Sequence, residues 1–361
     1  MKNSQNILTK RNLFYFIQFC ILFFGVSFPF WQAAEVFHVY HPLWVILPGT
    51  LFAVLFALAF GTIFNINEKI LKYIKTIINY WLAGGFIVFF SLLILLGLNF
   101  VFNFPQVWVI GTSLAIASLL IMYAYHHASR IFIHSIDIES DKVVRPYSFI
   151  QLSDIHIGSN GIHEVERILN SMKSLKYDFV VITGDLIDED YASYHALEPL
   201  SKITTPIYYI TGNHEYYLRH KSFKDFIKKT DIFDINDTKT SFKELDVYGI
   251  DEKSDAAQVL ETLSVDRERY SIGLMHEPHT REMQKSAEQG IDLMLSGHTH
   301  NGQIFPFTLM VRGKYKFIKG LYQIANMYIH VSQGTSTWGP KMRLGTSNEI
   351  TLINLQPKNQ S

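Results

Sequence analysis

Sulfur and charge are both scarce in this chain. One cysteine, Cys20, occurs in 361 residues, inside an apolar run. With no second thiol, an internal disulfide is impossible. Charged residues make up 18%, against about 25% in ordinary soluble domains. The 32 basic and 32 acidic residues cancel, so the totals give no support for a nucleic-acid-binding surface. The charge deficit is local. Residues 1–130 carry seven Lys or Arg and two Asp or Glu, which leaves 25 basic and 30 acidic residues for the remainder. A nearly uncharged first third thus precedes an ordinary charged globular part, and with 48% hydrophobic residues both disorder and collagen-like repeats are excluded.

What the first third holds instead is four apolar runs, Leu13–Trp31, Leu43–Phe64, Tyr80–Phe102 and Val107–Tyr125. Each is near the ~20 residues a helix needs to cross a bilayer. Aromatics cluster at their ends, among them Trp31, Trp44, Trp81 and Trp108, as at a headgroup boundary. The first run is long for a signal peptide and three more follow it, so it reads as a retained helix. No run contains Asp, Glu, Lys, Arg or His. Transporters and pumps place ionisable groups at depth, so these helices are expected to anchor rather than conduct. The basic residues sit before the first run (Lys2, Lys10, Arg11) and in the loop taken as 65–79 (Lys69, Lys72, Lys75). The positive-inside rule puts both segments, and with four spans the C-terminal part, on the cytoplasmic side of a plasma or inner membrane.

The expected organisation is a four-span anchor over 1–130, a polar joint over 131–146, a catalytic domain over 147–355 and a tail over 356–361. In the third segment, short apolar strands alternate with helical stretches, the pattern of a layered α/β domain. "YSFIQLSDIH", "DFVVITGD", "PIYYITGNHE", "YSIGLMHE" and "DLMLSGHTH" each end in a polar turn. In open α/β sheets, ligands bind beyond the C-terminal strand ends. Five such ends deliver Asp154 and His156, Asp185, Asn213, His276, and His298 with His300. The i, i+2 spacing of each His pair position puts both side chains on one face of an extended strand end. His279 competes with His276, and the strand end at Met275 favours His276. The donor set is oxygen and nitrogen without sulfur, which suits Mn, Fe or Zn. Seven ligands exceed one tetrahedral site, so two divalent or trivalent metal ions are implied.

Those segments, in order, resemble the calcineurin-like metallophosphoesterases, whose pattern is D-x-H, G-D-x-x-D, G-N-H-E, a lone His, then G-H-x-H. Here it reads Asp154-Ile-His156, Gly184-Asp185-Leu-Ile-Asp188, Gly212-Asn213-His214-Glu215, His276 and Gly297-His298-Thr-His300. The likeness covers residues 147–355, and "GHTHNGQ" with "QGTSTWGPKMRLGTSNEI" looks like a bacterial-type, often membrane-associated branch. Asn301 departs from the Gly expected there. The resemblance implies a four-layer α/β/β/α sandwich. It assigns one metal to Asp154, His156, Asp185 and His300 and the other to Asp185, Asn213, His276 and His298, with Asp185 bridging. It also implies that His214 and Asn213 face the substrate, His214 as acid or phosphate contact oriented by Asp188. A metal-bridged hydroxide would then attack phosphorus in line, and the leaving oxygen would take its proton or a positive partner from His214.

The expected function is cleavage of a phosphoester or pyrophosphate, with the anchor pointing to a lipid-linked substrate and to membrane lipids as surroundings. The alternatives are a phosphodiesterase or phosphatase for soluble nucleotides or phosphoproteins, and a non-catalytic sensor or scaffold with the same fold. Two features stay open. Glu215 is either an orienter of the ligands or a solvated turn residue. "MVRGKYKFIKGLY" is a substrate wall, a membrane-surface patch, or an exposed loop followed by a strand.

Overall fold

The computed structural model describes residues 27–32, 34–35, 43–60, 67–218 and 223–358. The chain divides into two units, Met1–Ala124 and Tyr125–Ser361.

The first unit contains α1 (Leu43–Phe60), α2 (Glu68–Phe102) and α3 (Gln106–His127), where α3 runs into the second unit. Phe52 on α1 and Ile78 on α2 form a buried apolar cluster, and Phe52 meets the Trp81 ring edge-on at 5.6 Å. Ser113, buried on α3, donates to the Val109 carbonyl at 2.7 Å, so its hydroxyl is not left bare in an apolar helix. Among the described residues, α2 and α3 are long and apolar enough to span a membrane. Only 17% and 22% of their apolar windows are buried within the protein, unlike the core helices of a soluble domain. The four expected spans are thus two among the described residues. The apolar stretch of α1 is shorter, and most of Leu13–Trp31 lies outside the described residues.

One boundary differs from expectation. From residue 68 on, the basic segment is helix rather than loop: α2 begins at Glu68, with the Asn67 side chain accepting from the Lys69 amide. The N-cap and the apolar spacing of Ile70, Leu71, Ile74, Ile77 and Ile78 favour continuous helix. At 35 residues, α2 is about 52 Å long, so its lysine-bearing end extends past a core of about 30 Å.

The second unit runs β1 (Ile131–Ser140), β2 (Tyr147–Leu152), α4 (Ile162–Met172), β3 (Phe179–Thr183), β4 (Ile207–Ile210), α5 (Phe223–Ile227), β5 (Ile232–Asp234), β6 (Lys239–Phe242), β7 (Leu245–Gly249), α6 (Ala256–Leu263), β8 (Tyr270–Leu274), α7 (Thr280–Gln289), β9 (Leu293–Ser296), α8 (Phe307–Lys314), β10 (Gly320–Ile324), β11 (Met327–Val331) and β12 (Asn348–Pro357). They form two mixed six-stranded sheets, ordered β1-β12-β2-β3-β4-β5 and β10-β11-β9-β8-β7-β6. Strand alternation sorts the core. Ile150, Leu152, Val180 and Ile182 of the first sheet pack with Val165 and Ile168 of α4. Their neighbours Phe149, Phe179 and Val181 join Val247, Ile272 and Leu295 of the second sheet in one cluster. Met283 of α7 and Leu260 of α6 pack with Ile329 on the second sheet's other side. Strands buried on both faces read as the near-continuous apolar runs seen in the sequence.

The segment 131–146 is not a joint for most of its length. Residues 131–140 form β1, paired in parallel with β12 from Ile131↔Asn348 to Ser140↔Pro357. It is an edge strand, largely exposed, and its apolar alternation slips between Ile133 and Ile136. Those features hide a strand from pattern reading.

Candidate metal centre

Three parallel strands of the first sheet (β2, β3, β4) and two of the second (β8, β9) send their C-terminal ends to one place. The sheets are tied there, where His276 Nδ1 donates to the Thr183 carbonyl at 2.7 Å; within the second sheet, the Gly297 amide donates to the His276 carbonyl at 3.0 Å. The ligand-bearing residues are not in extended strand ends, as the i, i+2 spacing suggested. Asp154, His156, Asp185, His298 and His300 have φ of 54°, 53°, 51°, 70° and 46°. This left-handed backbone costs about 1–3 kcal/mol per residue and persists where surrounding bonds enforce it. Here the Asp154 and His156 amides donate to the Gly184 and Asp185 carbonyls at 3.1 and 2.9 Å. Gly184 has φ +88°, and a Cβ there would lie 2.5 Å from His276 Nδ1. A Cβ on Gly297 would lie 1.9 Å from Ser153 Oγ. Both positions require glycine.

Two clusters result. In the first, His156 Nε2 and His300 Nε2 face each other at 3.0 Å. Asp154 Oδ1 lies 3.3 Å from His300 Nε2 and 3.9 Å from His156 Nε2, and Asp185 Oδ2 is 3.8 Å from His156 Nε2. In the second, His276 Nε2 is 3.2 Å from both Asp185 Oδ2 and Asn213 Oδ1, and His298 Nδ1 is 2.8 Å from Asn213 Oδ1. Asp185 contacts both clusters. The seven predicted ligands are therefore together. His276 belongs to the group and is fully buried, while His279 is half exposed beside Glu277. His214 sits at the edge, its Nε2 4.0 Å from Asp185 Oδ2 and its side chain 15% exposed, and its amide donates to Asp185 Oδ1.

The arrangement suits cations on its own terms. Asp154 and Asp185 are buried, yet their ion-pair partners among the described residues are all histidines, with no Lys or Arg. His276 Nδ1 gives its proton to Thr183, so the inward Nε2, facing Asp185 and Asn213, is the nitrogen where a cation would replace a proton. Burial lowers the His298 and His300 imidazoles to about 4, so both rings are neutral with lone pairs available. Burial opposes charge on His276 as well, but Asp185 beside it more than offsets this and holds its pKa well above the ordinary range. Burial likewise opposes ionisation of Asp185, and His276 and His214 hold its carboxyl well below the usual range. Carboxylates, an amide oxygen and imidazole nitrogens converging with no Lys or Arg among them are a ligand set for metal ions.

Asp188 departs from expectation. Its carboxylate accepts from the Ser159 amide and hydroxyl and lies 3.4 Å from His156 Nδ1. It thus backs His156 rather than orienting His214, because the turn after β3 carries it toward the β2 loop, where Ile187 bridges to Ile157. Glu215 is a buried orienter rather than a solvated turn residue. It accepts from the Asp185, Ile187 and Gly212 amides at 3.2, 2.9 and 2.8 Å, and burial together with the Asp185 charge pushes its carboxyl up to about 8. Asn301 has φ 49°, which asparagine tolerates better than most residues, and its amide bonds Gln333 at 3.0 Å.

Two residues escaped sequence reasoning. Arg343 is fully buried behind His300. Tyr315, from the "KYK" segment, reaches the second cluster. Its hydroxyl bonds Glu277 and lies 3.0 Å from His298 Nε2. With the hydroxyl donating to Glu277, its oxygen accepts the His298 Nε2 proton and leaves Nδ1 free to bind a cation. Such supporting contacts are worth about 10–100-fold in metal affinity. Tyr315→Phe is expected to weaken binding of one metal equivalent by about tenfold, read by titration of metal into the chelated protein. Unchanged affinity would remove Tyr315 from this role.

Residues 147–302 match the calcineurin-like phosphoesterase family. Two proteins named uncharacterized metallophosphoesterases are similar over somewhat more than two thirds of each chain. The one from Campylobacter jejuni is 31% identical over 262 residues, 68% of this chain and 69% of its own. The one from Helicobacter pylori strain J99 is 32% identical over 265 residues, 70% of this chain and 71% of its own. A Bos taurus protein named transmembrane protein with metallophosphoesterase domain is 31% identical over 241 residues, 57% of this chain and 52% of its own. That family implies a metal-dependent phosphoester hydrolase, and the Asp and His clusters at the strand ends are of the kind its divalent ions require. The chain belongs to the calcineurin-like metallophosphoesterase family.

Proposed function

We propose that this chain is a membrane-anchored phosphohydrolase that binds two metal ions, of Mn, Fe or Zn type, and cleaves a lipid-linked phosphoester or pyrophosphate. One observation carries the reading: two clusters of oxygen and nitrogen ligands share Asp185 at the converging strand ends. Asp154, His156, Asp185 and His300 would hold one ion, and Asp185, Asn213, His276 and His298 the other. When bound, such ions polarise phosphoryl oxygens and lower the pKa of water at the site. Asp188 keeps the His156 ring in place. Glu215 holds the backbone at the ends of β3 and β4 through the Asp185, Ile187 and Gly212 amides, which orients Asp185 and Asn213. His214, at the mouth, is placed to contact the phosphate or to exchange a proton with the leaving oxygen. Burial lowers its pKa, with Asp185 opposing, so it enters neutral and its ring N–H can donate a hydrogen bond to the phosphate or the leaving oxygen.

The anchor is proposed to have four spans, with the catalytic unit on the cytoplasmic side in a four-layer α/β/β/α arrangement. The relatives named as transmembrane proteins and the lysine-rich start of α2 support this. The aromatic rim supports an apolar substrate portion. Trp338 and Tyr217, 50% and 63% exposed, lie 5.4 and 5.2 Å from the His214 ring. Full-length protein loaded with Mn is expected to release phosphate from a lipid pyrophosphate at least about tenfold faster than from bis(p-nitrophenyl) phosphate, a difference of about 1.4 kcal/mol in barrier. Equal or reversed rates would reject the lipid-linked substrate in favour of a soluble one. In sealed inside-out vesicles, protease should cut the catalytic unit without permeabilisation. Protection there would reverse the orientation.

A further inference from the structure

One surface of the catalytic unit plays no part in the chemistry above. Around α8, Phe305, Phe307, Leu309 and Met310 are 50%, 44%, 56% and 66% exposed. Of the eight residues of α8 only Thr308 is buried. A run of large exposed apolar side chains this dense marks an interaction surface. It continues directly into a basic stretch of chain, in which Lys314 also pairs with Glu277 at 3.2 Å. Residues 293–348 contain no Asp or Glu, and Arg312, Lys314, Lys316 and Lys319 are all exposed, although the rest of the catalytic unit is net acidic. Apolar side chains beside clustered cations complement an anionic lipid surface, where the cations meet headgroups and the apolar groups enter the acyl boundary.

We infer that α8 and its flanks form a bilayer-docking surface for anionic phospholipid, and that docking presents the metal centre to the membrane. The coupling is short and direct. The Thr308 hydroxyl donates to the Asn301 carbonyl at 2.9 Å, and a Cβ at Gly302 would meet the Thr308 backbone at 2.5 Å. The helix is therefore packed on the turn that carries His300. Tyr315, the next residue after α8, touches His298. The helix that meets lipid thus abuts a residue of each cluster. The membrane-crossing helices of the same chain keep the bilayer at high local concentration, so a weak surface suffices.

The test uses full-length protein in a Cys20→Ser background, which removes the only native thiol. Met310→Cys carries an environment-sensitive fluorophore, Leu309→Cys provides a second position, and Glu261→Cys on exposed α6 is the reference. Each is placed in nanodiscs of phosphatidylcholine with or without phosphatidylglycerol, using plain or brominated acyl chains. In anionic discs, labels at 309 and 310 should shift to shorter wavelength and be quenched by brominated chains, while the label at 261 stays water-like. Arg312→Glu, Lys316→Glu and Lys319→Glu should each weaken docking by about fivefold or more. Emission at 309 and 310 that matches position 261 and ignores bromine would overturn the inference. A blue shift in lipid-free detergent that grows with protein concentration would also overturn it, assigning the surface to a second copy of the chain.

Discussion

Asp185→Asn is expected to abolish phosphate release, by about three orders of magnitude or more, in a protein that still folds. The asymmetry follows from what the two oxygens do. Oδ1 accepts the His214 amide, a bond the asparagine oxygen keeps. Oδ2 lies between His276 and His156 and is the only group in both clusters. Replacing its charge with an amide removes the negative centre that two cations would share, so metal stoichiometry should fall along with rate. The measurement pairs turnover with metal content, and circular dichroism verifies the fold. The same variant separates an enzyme from a scaffold of the same architecture. If cells carrying Asp185→Asn behave as wild type while purified protein has lost all turnover, a non-catalytic role gains the stronger case. Wild-type turnover with unchanged metal content would refute the assignment of Asp185 itself.

The largest stability effect is expected at Arg343. Its guanidinium donates to the His300, Gln333 and Ser336 carbonyls at 2.9, 2.7 and 2.6 Å and to Asn348 Oδ1 at 2.8 Å. Burial lowers its pKa to about 10, so it stays charged near neutral pH. Arg343→Met matches the length of the stem but strands these buried acceptors, and losing the partner of such a network costs about 3–5 kcal/mol. In a unit of this size each kcal/mol moves the midpoint by about 2–4 °C, so thermal unfolding should begin roughly 10 °C earlier. Lysine should not rescue it, since one ammonium cannot span four acceptors in the guanidinium plane. A midpoint within about 2 °C of wild type would show that the loop between β11 and β12 is held by other contacts.

Both residues bear on how much of this protein is readable without its structure. Asp185 was readable because its neighbours are: a buried β-branched strand, a glycine and a carboxylate form a local pattern, and five such patterns in order are specific. Arg343 was not, because an arginine between Met342 and Leu344 has no local mark of burial. Its acceptors come from residues 300, 333, 336 and 348, which meet only in the folded chain. Asp188 shows a third situation. Its presence near the site was readable, but its partner depended on the path of the turn after β3. The edge strand β1 was missed for a different reason, its exposed face and slipped alternation resembling a polar linker.

By itself the sequence determined the apolar character of the first third, the α/β nature of the remainder and the identity of the seven grouped candidate ligands, because hydropathy, strand period and strand-end chemistry are local properties. Tertiary structure alone decided the left-handed geometry at five of those ligands, the roles of Glu215, Arg343 and Tyr315, and the exposure of α8 beside the centre. Each depends on contacts between segments far apart in the chain, and no window of sequence contains both partners.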